Sequence, residues 1–358
     1  MKAILMTGGS GTRLWPLSRK SAPKQVRPFL DDKTMLEHTW NRLLSGIAAK
    51  DVYVATTKDL AAQVRRVLPR LKTSNLSVEP VRRETAPALA LALLKVLKDD
   101  PRATVVYANV DNHISDTREF HRMLGVAEHA VRKYPDRLVL LGVRPAYPET
   151  GYGYIKMGGQ KVTFGKDEVF AVEAFKEKPD LKTAKRYVAS WEYLWNPTLV
   201  VARAQTLADA YKKHAPKLWK VMEQIAPHVG TPREAAAVKR WFPKAPSITI
   251  DYALLEKEKG MLVIPADFGW TDVGHWRTVH DILAGDKDAN VVKGKAVVID
   301  GKRNLLFSET GKFIGAVGVE DLILVETEDA ILVASRERAQ DVKKLVQEIE
   351  RRKFKNVL

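Results

Sequence analysis

The chain has 358 residues, 45% hydrophobic and 28% charged, with no cysteine and a formal charge of +16. Its length exceeds what one compact core usually holds, so two domains are expected, and the missing cysteine excludes disulfides, thiolate metal sites and thiol catalysis. No apolar run approaches the roughly 18 residues of a membrane span, and Met1-Lys2 with four apolar residues is too short for a signal-peptide core, so the expected location is the cytoplasm.

In chain order, a short apolar strand at Ala3–Met6 feeds a glycine-rich loop, and a helix follows near Thr34–Leu44. Strand-like runs at Asp51–Ala55, Ser77–Glu79, Thr104–Ala108 and Arg137–Gly142 alternate with helical patterns near Asp59–Leu68, Thr85–Leu97 and Arg118–Lys133. This alternation predicts a mostly parallel sheet with helices on both faces and ligands at the strands' carboxyl ends. The glycine loop, Glu79-Pro80 and Asp111 all follow strands and are expected to gather at that edge. Further strands are read at Gly151–Ile155, Val169–Phe175 and Tyr193–Val201, then helices over 203–240.

Near residue 285 the texture changes to short valine- and isoleucine-rich runs at Ala296–Ile299, Ile314–Val319, Leu322–Glu326 and Ala330–Ala334. They predict a small all-β module, giving domains of 1–284 and 285–358. A final helix near Ser335–Lys353 places Ala339, Val342, Leu345, Val346 and Ile349 on one face, to pack on its own chain or a second subunit. Apart from the terminal cluster of Arg351-Arg352-Lys353 and Lys355, the basic residues (59 in the whole chain) are mixed with 43 acidic ones. A solvated basic surface that favours anionic substrates is therefore read in preference to a nucleic-acid footprint.

The loop reads Gly8-Gly9-Ser10-Gly11-Thr12-Arg13-Leu14-Trp15-Pro16-Leu17-Ser18-Arg19, followed shortly by Pro23-Lys24-Gln25. Its glycines let backbone N–H groups approach phosphate oxygens, and Arg13, Arg19 and Lys24 add three cations, a combination suited to a nucleoside triphosphate. The spacing is neither that of a P-loop nor that of a Rossmann dinucleotide loop. The whole string resembles the signature of sugar-nucleotide pyrophosphorylases, in the form found in the mannose-1-phosphate guanylyltransferase branch.

That resemblance runs almost the whole chain, with its motifs in family order. It implies a Rossmann-like (GT-A-like) mixed sheet flanked by helices, a short left-handed β-helix in the C-terminal module, and a possible homodimer. It also implies one reaction: mannose 1-phosphate and GTP give GDP-mannose and pyrophosphate. The chain is shorter than the bifunctional relatives, and no appended isomerase domain is expected. Neither nucleic acid nor membrane is an expected partner.

Residue by residue, the resemblance assigns Arg13, Lys24, Asp111 and Asp272 to catalysis, with Asp111 and Asp272 holding Mg2+. Each aspartate alone would read as a turn or capping residue, and Asn109-Val110-Asp111-Asn112 stands where the family has Pro-Ala-Asp-His. Gly8, Gly9, Gly11, Thr12, Glu79, Thr85 and Pro87 are the nucleotide-binding candidates. Guanine offers N1–H and N2–H2 donors, for which the Glu79 carboxylate is the natural acceptor. Glu84 replaces a family asparagine, and its own reading is a favourable charge in the first turn of a helix.

Sugar-phosphate candidates are Gly153, Glu177, Lys178, Asn196 and Asp251. Lys178 would take the phosphate as a point charge and Glu177 sugar hydroxyls. Pro197 departs from the serine or glycine usual after the asparagine. Asp251 reads either as a helix cap, the preferred reading, or as a sugar contact. Two alternatives stay open: thymidylyl or uridylyl transfer to glucose 1-phosphate, and a silent paralogue that only binds sugar nucleotide.

Overall fold

The computed structural model describes residues 1–9, 11–286 and 288–358; Ser10 of the glycine-rich loop and Lys287 lie outside the described residues. Two compact units emerge. The first comprises Met1–Gly8 and Thr39–Trp270, the second Gly9–His38 and Thr271–Leu358. They are not collinear with a division at 284/285, because the signature loop belongs to the second unit.

The first unit is built on a nine-stranded sheet in the order β3-β2-β1-β4-β9-β6-β10-β8-β7. Its strands are β1 (Lys2–Met6), β2 (Val52–Thr57), β3 (Leu76–Glu79), β4 (Thr104–Asn109), β6 (Val139–Val143), β7 (Gly153–Phe164), β8 (Asp167–Glu177), β9 (Tyr193–Arg203) and β10 (Leu262–Ala266). Short strands β5 (Asn112–Ile114) and β11 (Trp270–Asp272) lie outside it. Strands β3, β2, β1 and β4 are parallel. Beyond β4 the sheet becomes mixed, because β9 runs antiparallel to both β4 and β6, and β7 and β8 form an antiparallel hairpin. A mostly parallel sheet therefore holds only for this first half.

Burial explains the apolar runs. All six residues of β2 and all five of β6 are buried, as expected of strands covered on both faces. Ile4 and Met6 join the core under α3 (Thr85–Asp99), while Ala3 and Leu5 face the other way by strand alternation. α3 is buried almost all round from Ala86 to Val96, its alanines allowing close approach to β1, β2 and β3 and to α6 (Ala204–His214) and α7 (Pro216–Ile225). The remaining helices of the unit include α2 (Ala61–Val67), α4 (Thr117–Lys133), α5 (Leu181–Ser190) and α8 (Glu234–Trp241); α1 spans Met35–Leu44. β10 and α5 have no counterpart in the sequence reading. No described helix is long and apolar enough to cross a membrane.

In the second unit β12 (Val291–Lys293), β14 (Leu305–Ser308) and β16 (Leu322–Glu326) stack in parallel, and β13 (Lys295–Ile299) pairs in parallel with β15 (Phe313–Val317). β17 (Ile331–Ser335) closes antiparallel on β16. This is the stacked-rung pattern of a β-helix. Leu306, Ile314 and Ala316 form the small core of the coil, with Ala296, Val298 and Leu324 against it. The alternate residues Leu305, Phe307, Ile323 and Val325 join a second core with Leu14, Trp15, Leu17 and Phe29 of the signature segment. That core also takes Trp276 and Val279 of α9 (Trp276–Leu283) and Val342 and Val346 of α10 (Val342–Arg351).

The apolar stripe at the end of the chain thus packs on its own unit, with Leu345 left exposed. The single terminal helix of the sequence reading is instead a 3-10 run, Arg336–Asp341, followed by α10.

Candidate active site

Parallel β1, β3 and β4 all end at one sheet edge, bringing Gly8, Glu79 and Asp111 there. The order 3-2-1-4 places a topological switch between β1 and β4, the usual position for a ligand crevice. Asp111 lies just past β4. The buried Asn112 beside it donates through Nδ2 to the Pro197 carbonyl at 3.3 Å, so Asp111 and Asn196 flank that bond. Burial holds the Tyr107 phenol well above its usual value, and the charges of Asp251 and Asp111 reinforce it. Both carboxylates therefore act on one buried ring.

The sugar-phosphate candidates form a row across three strands. Gly153 pairs with Glu177 on one side and Asn196 on the other. A Cβ at Gly153 would stand 2.6 Å from Glu177 Oε2 and 3.3 Å from Asn196 Cβ, so the buried Glu177 carboxylate occupies the space a larger residue would fill. Lys178 reaches Glu177 Oε1 with Nζ at 2.6 Å from a left-handed backbone conformation, φ 47°. Burial works against its ammonium, but the Glu177 carboxylate holds it above the ordinary lysine value.

Asn196 Nδ2 donates to Asp251 Oδ1 at 3.1 Å, while its Oδ1 accepts Thr198 N–H at 3.1 Å. Pro197 fits within this turn and leaves its carbonyl to Asn112. Asp251 opens a π-turn, Asp251–Leu255, whose N-cap is Ile250. The capping reading of Asp251 is therefore overturned: its carboxylate meets Asn196 instead. Burial pushes the Asp251 carboxyl up, and the neighbouring Glu177 charge pushes it further. Glu256, from the turn that follows, accepts the Glu177 N–H at 3.1 Å.

Glu79 closes β3 with its carboxyl buried, and Oε2 has no hydrogen-bond partner among the described residues. Burial pushes it up to about 7, against the pull of Arg82 and the Arg83 N–H. Thr85 opens α3, and its hydroxyl accepts the Ile250 N–H at 2.9 Å. Pro87 is buried in the first turn of the same helix. Glu84 is not in that turn. It is the exposed N-cap, with φ 66° and ψ −176° and no side-chain cap bond, a backbone region that strongly favours glycine.

In the second unit Gly9 and Gly11 both have positive φ. Gln25 holds Gly9 through Nε2 to its carbonyl at 3.2 Å, and a Cβ on Gly11 would meet Ser18 Oγ at 2.4 Å and the Lys24 chain at 3.1 Å. Thr12 begins a short 3-10 turn, Thr12–Leu14, that carries Arg13. Buried Lys24 donates to the Val273 carbonyl at 3.0 Å and lies 3.9 Å from Asp272 Oδ1. Arg13 Nη1 donates to Gln340 Oε1 at 2.6 Å. Arg19 does not join this group: Asp329 takes it at 2.6 Å and the Pro16 carbonyl at 2.5 Å. Its charge is engaged in the packing of the loop, whereas Arg13 meets the Gln340 amide and Lys24 the Val273 carbonyl.

A family model for nucleotidyl transferases matches residues 2–289, four-fifths of the chain. The chain belongs to the nucleotidyl transferase family. A second model, for the MannoseP isomerase/GMP-like beta-helix domain, matches residues 294–349. Among curated relatives of this nucleotidyl transferase, the xanthan biosynthesis protein XanB of Xanthomonas campestris is 37% identical over 97% of the chain and 72% of that protein. Mannose-1-phosphate guanylyltransferase RfbM of Salmonella typhimurium is also 37% identical over 97% and 72%. A crystal structure described as mannose-1-phosphate geranyltransferase from Thermus thermophilus superposes with a TM-score of 0.87 at 29% identity, covering 98% of this chain and 99% of the other.

The donor set of this nucleotidyl transferase bears on which metal chemistry it would suit. No group of three or more His, Asp or Glu able to cage an ion occurs among the described residues. Mg2+ asks a protein for only one or two carboxylates and completes its shell with phosphates and water. Asp111 of the first unit and Asp272 of the second, each at a strand end, are individually oxygen donors of that kind.

Sequence reading missed His275, Gln25, Glu256 and Gln340. Burial and the charges of Arg13, Arg277 and Lys24 push His275 down to about 4, leaving a neutral ring beside the loop cations. Only Gln25 carried a signal, as part of Pro23-Lys24-Gln25; the other three depend on tertiary placement.

Proposed function

We propose that this nucleotidyl transferase is a mannose-1-phosphate guanylyltransferase that forms GDP-mannose and pyrophosphate from GTP and mannose 1-phosphate. The observation that carries the reading is the buried, acceptor-rich row Glu177–Gly153–Asn196 with Asp251 and Lys178. It suits a polyhydroxy ligand bearing one phosphate. Glu79 supports guanine as the base, since its carboxylate complements the N1–H and N2–H2 donors, whereas uracil and thymine would set carbonyl oxygens against it.

A phosphate oxygen of mannose 1-phosphate attacks the α-phosphorus of GTP, the α–β bridging bond breaks, and pyrophosphate leaves with its electron pair. The nucleophile is already anionic and needs no general base. This chain's residues then bind, orient and offset charge. Lys178 holds the attacking phosphate, Glu177, Asn196 and Asp251 hold sugar hydroxyls, and Gly153 keeps the row open. Gly8, Gly9, Gly11 and Thr12 offer backbone to the triphosphate, and Arg13 and Lys24 hold the departing pyrophosphate. Thr85 and Pro87 shape the nucleotide edge. Mg2+, which we assign to Asp111 and Asp272, supplies charge neutralisation on phosphate oxygens when bound. A cytoplasmic homodimer completes the reading, supported by the exposed apolar residues Val297, Ile299, Phe313 and Val317 of β13 and β15.

The test is pyrophosphate release from four nucleoside triphosphates crossed with mannose, glucose and N-acetylglucosamine 1-phosphates. GTP with mannose 1-phosphate is the expected preferred pair. Preference for another pair overturns the specificity, and no release from any pair overturns the activity.

A further inference from the structure

We infer that Gln340 is a positioning residue for the reaction, fixing the Arg13 guanidinium in the orientation that receives pyrophosphate; this rests on the assignment of Arg13 above. Both residues lie in the second unit. Gln340 Oε1 accepts Arg13 Nη1 at 2.6 Å. On its other side the guanidinium passes Gly274, where an added Cβ would stand 3.3 Å from Arg13 Nη2 and 2.6 Å from Asp272 Oδ2. The planar group is thus bounded at one nitrogen by an amide oxygen and at the other by a glycine that leaves room for it.

Exposed Gln340 follows a kink at Arg338 within the run Arg336–Asp341, and the flanking Ala339 and Val342 are buried in the core that also holds Leu14 of the signature loop, which anchors its backbone from both sides. An arginine carries much rotamer freedom, and ordering it before the ligand arrives spares that loss at binding.

The choice of an amide is chemically specific. Arg27 and Arg19 of the same segment meet carboxylates, Glu309 and Asp329, and Lys20 meets Glu350. An ion pair of that kind occupies a donor and offsets part of the cation's charge. A neutral amide oxygen takes one N–H, leaves the other guanidinium donors for an anion, and keeps the full positive charge. The neutral His275 nearby adds no competing charge.

The experiment uses the full chain assayed in the pyrophosphorolysis direction, with pyrophosphate and GDP-mannose, alongside forward assays. Gln340→Ala should raise KM for pyrophosphate about tenfold, as expected for losing a hydrogen bond to a charged group. KM for mannose 1-phosphate and the melting temperature should hold. Gln340→Glu should be worse than Gln340→Ala, since its carboxylate neutralises Arg13. In an Arg13→Ala background Gln340→Ala should have no further effect.

An unchanged pyrophosphate KM in Gln340→Ala, or an equal rise with Arg13 already removed, overturns the inference alone. If Arg13→Ala itself leaves the pyrophosphate KM unchanged, the assignment of Arg13 fails and takes the inference with it.

Discussion

Thr85 accepts the backbone N–H of Ile250 at 2.9 Å, tying the first residue of α3 to the residue that precedes Asp251. Ala86 N–H donates to the Ile248 carbonyl at 3.1 Å and Ile248 N–H to that of Arg83 at 3.3 Å, so the segment after Glu79 and the segment before Asp251 are laced together. Thr85→Val keeps the shape and removes the acceptor, stranding the Ile250 N–H. A loss of about 1–3 kcal/mol in stability is expected. KM should rise for both GTP and mannose 1-phosphate, because Thr85 shapes the nucleotide edge in the proposed reading and its bond also positions Asp251. Thermal unfolding with steady-state kinetics checks it, and Thr85→Ser should restore both.

Gly153→Ala tests the row between Glu177 and Asn196. The new Cβ would lie 2.6 Å from Glu177 Oε2 and 3.1 Å from the Phe175 ring, so the buried carboxylate must move. Overpacking of this kind costs about 1–3 kcal/mol. The expected result is a raised KM for mannose 1-phosphate with KM for GTP little changed. An alanine variant with wild-type sugar-phosphate kinetics would remove Gly153 from the site.

Glu84 has φ 66° and ψ −176° and makes no cap bond with its side chain. Glu84→Gly relieves that backbone, and a gain of about 1 kcal/mol is expected, reduced by the loss of a favourable charge at the start of α3. Denaturant unfolding measures it. GTP kinetics should stay close to wild type, since the side chain is exposed.

Legibility in the sequence followed the locality of the signal. The buried parallel strands β1, β2, β3 and β4 were readable because covering both faces makes continuous apolar runs. The mixed half of the sheet was not, since the reversed direction of β9 is set by its partners β4 and β6. Leu14, Trp15 and Leu17 read as part of a phosphate loop, and half their meaning is missing without the fold: they are core residues of the β-helix unit. Arg19 carried the same charge in sequence as Arg13, and only the placement of Asp329 against one and Gln340 against the other separates them. Asp251 looked like a cap because an aspartate ahead of a helix usually is one; the distant Asn196 redirects it.

Glu79 gives a pH test with a defined sign. Its folded pKa of about 7 lies above the ordinary value of 4.5. The folded state therefore binds the proton more tightly than the unfolded state, and the stability linked to this group is full below pH 4.5 and lost as pH rises through 7. Glu79→Gln removes the titration, so the variant should be more stable than wild type at pH 8 by about 3 kcal/mol and nearly equal at pH 4.5. The proposed guanine recognition by Glu79 would run the opposite way, because there the ionised carboxylate is the acceptor. KM for GTP in the wild type should fall as pH rises through 7, and Glu79→Gln should raise it and flatten that profile. Unfolding at two pH values, with GTP kinetics between pH 6 and 8, separates the two effects. A glutamine variant with an unaltered GTP profile would mean that Glu79 does not read the base.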